Sequence, residues 1–240
     1  MTDDFIEKIK ERGYWRVNFQ PLGPPADLTL AECDRLIADN HVRLRGWYYP
    51  FYASGDRDNH GFSNRNGYRQ GWIDAGKFKE FWNMYKSGQF LHYSAVHEDW
   101  QDVPDDTLWG NREPIEPGVY LNFIGSLTMY FTEIYELLVR LHKAGLYTEG
   151  VKVSISLINT QGRKLASFDA MRSLHFDKIT HEDRIDFVKN YSPDDLQTPA
   201  RDLAIPAILH FFEMFNFEDV SVDLVIKKDQ DTLYGYKRNG

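Results

Sequence analysis

The chain has 240 residues, a formal charge of -8, and 42% hydrophobic against 27% charged residues. That apolar share excludes disorder as the main theme, and the acidity argues against a protein that coats nucleic acid nonspecifically. A single cysteine, Cys33, excludes an internal disulfide framework and a cysteine-built zinc site.

The start, Met1-Thr2-Asp3-Asp4, is acidic and unlike a secretory signal. A helix is predicted over about 3–12. Trp15, Val17 and Phe19 then alternate with Arg16, Asn18 and Gln20, as in a half-buried strand. Thr29 can cap a helix that carries Leu30, Cys33, Leu36 and Ile37 on one face and stops at Asn40. On that face Cys33 reads as a small buried hydrophobe. Val42 to Trp47 reads as a strand, 53–67 as a long polar loop, and Tyr68 to Ile73 as a short strand. Phe78, Phe81, Trp82 and Tyr85 have helical spacing, so Lys77 to Lys86 is predicted helical, ended by Ser87-Gly88.

Gln89 to Val96 is strand-like, and 97–119 is an acidic connection holding Pro104, Pro114 and Pro117. From Tyr120 to Lys143, Phe123, Leu127, Phe131, Ile134, Leu138 and Leu141 form one stripe of a helix. Glu133 falls on the opposite stripe and reads as surface charge. Val151 to Leu157 alternates as a strand, and Asn159 to Gly162 looks like a hairpin loop from which 164–168 returns. Residues 184–191 fit a strand better than a helix. A turn follows at 192–195, then a helix from Thr198-Pro199 kinked at Pro206, and a final helix from Val220 to Tyr236. The expected fold is α+β: a mixed or mainly antiparallel sheet of about six strands packed with several helices. One domain over 1–240 is the economical reading, with a subdivision near 97–119 as the alternative.

Charge and aromatics are uneven. Between 41 and 96, eight cations against four acids leave +4, while 97–119 has one cation against seven acids, or -6. Five of the six tryptophans (47, 72, 82, 100 and 109) lie between 41 and 110. Guanidinium groups give bidentate hydrogen bonds to phosphate or carboxylate, and neighbouring rings give stacking. On a strand, Arg43 and Arg45 would share a face about 7 Å apart, enough to hold one anion. The candidate ligand-binding residues are therefore Arg43 and Arg45, with Trp47 and Tyr49 for stacking, Arg69 as a loop clamp, and His92. The competing reading is that the acidic 97–119 stretch neutralises this face within the protein.

Other constellations are weaker. Asp56-x-Asp58-x-His60-Gly61 begins like a calcium loop, but Gly67 stands where the bidentate glutamate belongs. His175, Asp177 and His181 carry metal-ligand side chains and form the alternative, hydrolytic site, although no second motif at metal spacing accompanies them. His97-Glu98-Asp99 reads as a solvated strand end. Phosphate loops, dinucleotide fingerprints and nucleophile elbows are absent, so no cofactor is expected.

Three segments, Val42-Arg43-Leu44-Arg45-Gly46-Trp47-Tyr48-Tyr49-Pro50, Tyr85-Lys86-Ser87-Gly88-Gln89-Phe90-Leu91-His92 and Gly162-Arg163-Lys164-Leu165, stand beside Gly13-Tyr14-Trp15. Together they resemble an uncharacterised bacterial region that accompanies AlbA-like, Schlafen-type DNA-binding domains. The resemblance covers residues 13–236, and none of the chain matches the DNA-binding domain itself, so DNA binding is not carried over. It implies an accessory, sensing or interaction module in bacterial regulation or defence. The expected function is thus a non-enzymatic cytoplasmic sensor or adaptor. Its partner would be a small anionic ligand or a protein, with neither a long duplex nor a membrane. The alternatives are the metal-assisted hydrolase and a structural subunit, including a homo-oligomer, whose aromatic face is an interface.

Overall fold

The computed structural model describes residues 3–53, 55, 57–101, 116–167, 174 and 177–236. Its frame is a seven-stranded sheet in which every neighbouring pair is antiparallel, with a separate two-stranded parallel ribbon and five α-helices. The expected α+β class with a mainly antiparallel sheet of about six strands is what the molecule has, the main sheet having seven strands among the described residues. In chain order the elements are α1 (Asp3–Lys10), β1 (Tyr14–Pro21), α2 (Leu30–Asn40), β2 (His60–Arg65), β3 (Tyr68–Ala75), β4 (Phe78–Tyr85), β5 (Phe90–Ala95), β6 (Tyr120–Asn122), α3 (Tyr130–Lys143), β7 (Val151–Ile158), β8 (Lys164–Ala166), β9 (Arg184–Tyr191), α4 (Ala200–Met214) and α5 (Lys228–Tyr236).

The sheet order is β2-β3-β4-β5-β1-β7-β9. Its middle strand, β1, pairs with β5 on one side and β7 on the other, so the sheet runs without a break from segments before 97 to segments after 119. Alternation on β1 sends Trp15, Val17 and Phe19 to one face, where β7 adds Val151, Val153, Ile155 and Leu157. The helices α3 and α4 cover that face: the Trp15 ring lies 5.3 Å from both Phe131 and Phe211. The predicted α3 stripe is buried as its spacing requires. On the opposite face, Phe5 and Ile9 of α1 pack with Phe81, Ala95 and Trp100. Thr29 closes a capping box with Glu32 at the start of α2, and Cys33 is buried on that helix.

Five predicted elements are corrected. Lys77 to Lys86 is not helical. It is β4, buried on both faces, with Phe81 toward α1 and Trp82 in the main core. Its buried polar residues Lys79, Glu80 and Asn83 break the period-two alternation, and the apolar residues that remain fall on helical spacing. Gly76 and Gly88, both at positive φ, turn the chain at either end. The second correction concerns 53–67, of which 60–65 is the edge strand β2. Gly71 of β3 makes room for this layer: a Cβ there would meet the Trp82 ring at 2.5 Å. Third, Val42 to Trp47 is a bend rather than a strand, with one isolated bridge between Val42 and Tyr49. Finally, β8 does not return along β7. It pairs in parallel with β6, while β9 takes the place beside β7. The segment from Tyr120 also begins as β6 and a π-helical turn, 123–129, capped by the Asn122 side chain, before α3 starts.

Candidate functional site

The bend at 43–49 lays Arg45 against the N-terminal half of α3. Arg45 Nε and Nη2 donate to Glu133 Oε2 at 2.9 and 2.5 Å, and Nη1 donates to the Gly125 carbonyl at 3.2 Å. The Glu133 side chain is 1% exposed, so its reading as surface charge is corrected, whereas Arg45 keeps 26% of its side chain in contact with solvent. Burial pushes the Glu133 carboxyl above the usual carboxylate range, and Arg45 only partly offsets it. Its Oε1 is buried and has no hydrogen-bond partner.

Tyr49 and His92 sit one layer deeper. The Tyr49 ring meets His92 and Tyr130 edge-on at 5.1 and 5.4 Å. The Tyr130 hydroxyl lies 3.3 Å from His92 Nδ1, and His92 Nε2 faces Glu80 at 3.6 Å. Glu80 in turn accepts from the Phe51 amide at 2.5 Å. Burial raises the phenols of Tyr49 and Tyr130 well above their ordinary value, so both stay neutral. Beside Arg45 and Tyr130 a cavity of about 20 Å³ is lined also by Ser94, His97 and Ser126. That is room for roughly one water-sized group. Burial, with Arg45 and Lys77 nearby, pushes His97 down to about 3, so the imidazole is neutral at pH 7.

The remaining predicted residues stand apart. Arg43 is exposed, with its guanidinium 5.4 Å from the Tyr48 ring, and since 43–47 is a bend, the strand face that it was expected to share with Arg45 does not form. Trp47 stacks on Phe78 at 4.1 Å. Arg69 donates to Asp34 of α2 at 2.8 Å and covers Phe62. In the alternative set, Asp177 pairs with Lys164 at 2.6 Å, His181 is exposed, and His175 lies outside the described residues. Among the described residues no group of three or more metal-ligating side chains converges. Asp56 and Trp109 also lie outside the described residues.

The sequence reading missed a buried charge network next to this cavity. His97 to Trp100 is a 3-10 turn, and Glu98 and Asp99 are buried rather than solvated. Arg163 Nη1 and Nη2 grip the two Asp99 oxygens at 2.8 and 2.7 Å. The Gly118 and Gly13 amides donate to the same two oxygens. Gly13 has to be glycine, because a Cβ would lie 2.3 Å from Arg163 Nη2. Glu98 Oε1 accepts from the Asn122 amide and the Ser126 hydroxyl, while Oε2 is buried without a partner. Burial raises the Glu98 carboxyl against these donors. The only signal in the sequence was the acid-rich opening of 97–119. Comparison with family models, curated proteins and solved structures gave no match, so the site is read from its own geometry. No helix among the described residues is long and apolar enough to cross a membrane.

Proposed function

We propose that the protein is a non-enzymatic recognition module that takes the anionic tip of a small ligand at Arg45. The observation that carries this reading is the state of the Arg45 guanidinium. It is aimed by Glu133 and Gly125, yet it is a quarter exposed and has spent only three hydrogen-bond donations. A guanidinium has five N–H donors, so one on each terminal nitrogen is left for a carboxylate or phosphate oxygen. The cavity has room for one oxygen of such a group at most, so the rest of the anion and the body of the ligand would rest outside it, against the exposed part of Arg45. The hydroxyls of Ser94, Ser126 and Tyr130 beside it are engaged with Ala95, Glu98 and His92, so the free donors are those of Arg45. The accessory role in bacterial regulation or defence implied by the resemblance agrees with a module that binds and does not transform its ligand.

Isothermal titration with inorganic phosphate and acetate tests the reading. The comparison is between wild type, the double variant Arg45→Gln/Glu133→Gln, which removes both charges together, and Arg43→Ala. Binding by wild type and Arg43→Ala with a loss of about tenfold or more in the double variant is expected, the scale of one charge-assisted hydrogen bond. Equal binding by all three proteins, or none by any, removes the proposal.

A further inference from the structure

A second, larger concavity lies between the C-terminal half of α3, the segment entering α4, and α5. Its volume is about 570 Å³, inside the range of roughly 300–1,000 Å³ typical of small-molecule sites. Three cations line it, Arg140, Lys143 and Arg201, against one carboxylate, Glu136. Both oxygens of that carboxylate are occupied. Oε1 accepts from Arg140 Nε and Nη2 at 3.1 and 3.0 Å, and Oε2 accepts from the Tyr234 hydroxyl at 3.3 Å. Arg140 is further fixed by its donation to the His41 carbonyl. Glu136 and Arg140 therefore cancel, and the cavity keeps the two charges of Lys143 and Arg201.

Those two are available. Lys143 is exposed and makes no ion pair among the described residues. Arg201 reaches Asp231 at 3.2 Å, but the two side chains are 48% and 70% exposed, and a pair so hydrated is readily exchanged for a better anion. Buried Val139 and the half-buried Tyr234 ring give the same cavity an apolar wall. A chain of net charge -8 has thus placed one unpaired cation, Lys143, and one loosely paired cation, Arg201, around a concavity with one aromatic side.

We propose that this cavity binds a phosphorylated small molecule of nucleotide size. Its phosphate meets Lys143 and Arg201, and its planar or apolar body lies against Tyr234 and Val139. A phosphate dianion that takes the place of Asp231 on Arg201 is balanced by the two cations, which a single carboxylate does not match, and the volume suits one nucleotide rather than a polymer. The site shares no residue with the Arg45 cavity, so either can stand without the other.

Titration calorimetry with adenosine 5′-monophosphate, with adenosine and inorganic phosphate as separate arms, tests it. The proteins are wild type, Lys143→Ala/Arg201→Ala, and Arg45→Gln/Glu133→Gln. Wild type is expected to bind the monophosphate more tightly than phosphate alone, and adenosine at least about tenfold more weakly. The Lys143/Arg201 variant should lose the same factor, while the Arg45/Glu133 variant keeps wild-type affinity. Thermal melting checks that the variants fold, and Lys143→Gln alone, a change at an exposed position, stands in if the double variant does not. No binding of the monophosphate, adenosine binding equally well, an unchanged Lys143/Arg201 variant, or loss only in the Arg45/Glu133 variant would each overturn the proposal.

Discussion

Two arginine–carboxylate pairs lie near the turn at His97 to Trp100 and differ in the exposure of the guanidinium and in how the carboxylate is used. Arg163–Asp99 is closed: the side chains are 0% and 1% exposed, and backbone amides from Gly13 and Gly118 complete the carboxylate's hydrogen bonds. Arg45–Glu133 is open: its guanidinium is partly hydrated, one carboxylate oxygen has no partner, and a cavity lies alongside. A fully buried pair whose carboxylate oxygens each accept two hydrogen bonds ties chain segments together, even though Arg163 Nε is left without a partner. A pair with donors left over at a surface has something to offer a ligand. The first pair is structural on these grounds, and the second is the proposed binding site.

The largest test of that division is Asp99→Ala. It leaves Arg163 charged in the protein interior, where breaking a buried pair costs about 3–5 kcal/mol. Chemical denaturation should register a loss on this scale, whatever ligand is present. A loss under about 1 kcal/mol would mean that the closed pair does not hold the β1, 97–100 and β6–β8 segments together.

Arg45→Met should cost less, about 2 kcal/mol at pH 7, because the partner lost is partly hydrated and Glu133 can take up a proton. The raised carboxyl also fixes the sign of the pH dependence. Glu133 becomes easier to protonate once Arg45 is gone, so the deficit shrinks as the pH falls toward its range. Urea titrations at several pH values check this. A deficit that grows on acidification would reverse the assignment of the open pair.

The fold was more legible than the site, for reasons visible in particular residues. Trp15-Val17-Phe19 and Val151 to Leu157 each have one buried and one more polar face, so period-two alternation survived in the sequence. In β4 both faces are buried, the alternation disappears, and Phe78, Phe81, Trp82 and Tyr85 pass for a helix. In β2 the edge position leaves Ser63, Asn64 and Arg65 polar, and the strand passes for a loop. The candidate site depended on partners far along the chain. Arg45 meets Glu133 and Asp99 meets Arg163 across 88 and 64 residues, and no local pattern announces a long-range ion pair. Arg45, Tyr49 and His92 were nevertheless placed in one region by charge and aromatic density, and the structure brings those three around Tyr130.

A subtler effect should separate the cavity from the closed network by pH. His97 is held neutral down to about 3, against an ordinary value of 6.5. As the pH falls through 6.5 the unfolded chain takes up a proton that the folded chain refuses, so this residue's contribution to stability declines steadily toward pH 3. A fully dry imidazole would give a slope of about 1.4 kcal/mol per pH unit; His97 is half-buried, and a shallower slope is expected. Glu98 and Glu133, both raised, act in the opposite sense over their own range. The useful quantity is therefore the difference between wild type and His97→Gln at each pH. That difference should move in the variant's favour between pH 7 and pH 5. A constant difference would place His97 in water rather than at the cavity.

The smallest effect belongs to Arg43→Ala, and it bears directly on how the open pair works. Arg43 is two residues from Arg45, but the bend leaves its side chain in solvent over Tyr48, with no ion pair to a carboxylate among the described residues. Removing it should change stability by no more than about 0.5 kcal/mol. Its effect on phosphate binding should be limited to the screened Coulomb term, visible at low ionic strength and gone once the Debye length falls to about 8 Å near physiological salt. Arg45 acts through aimed donors, whose contribution salt reduces far less. If both variants lose affinity to the same extent and with the same salt dependence, then Glu133 does no aiming, and the anion is held by a diffuse basic surface instead of by the open pair.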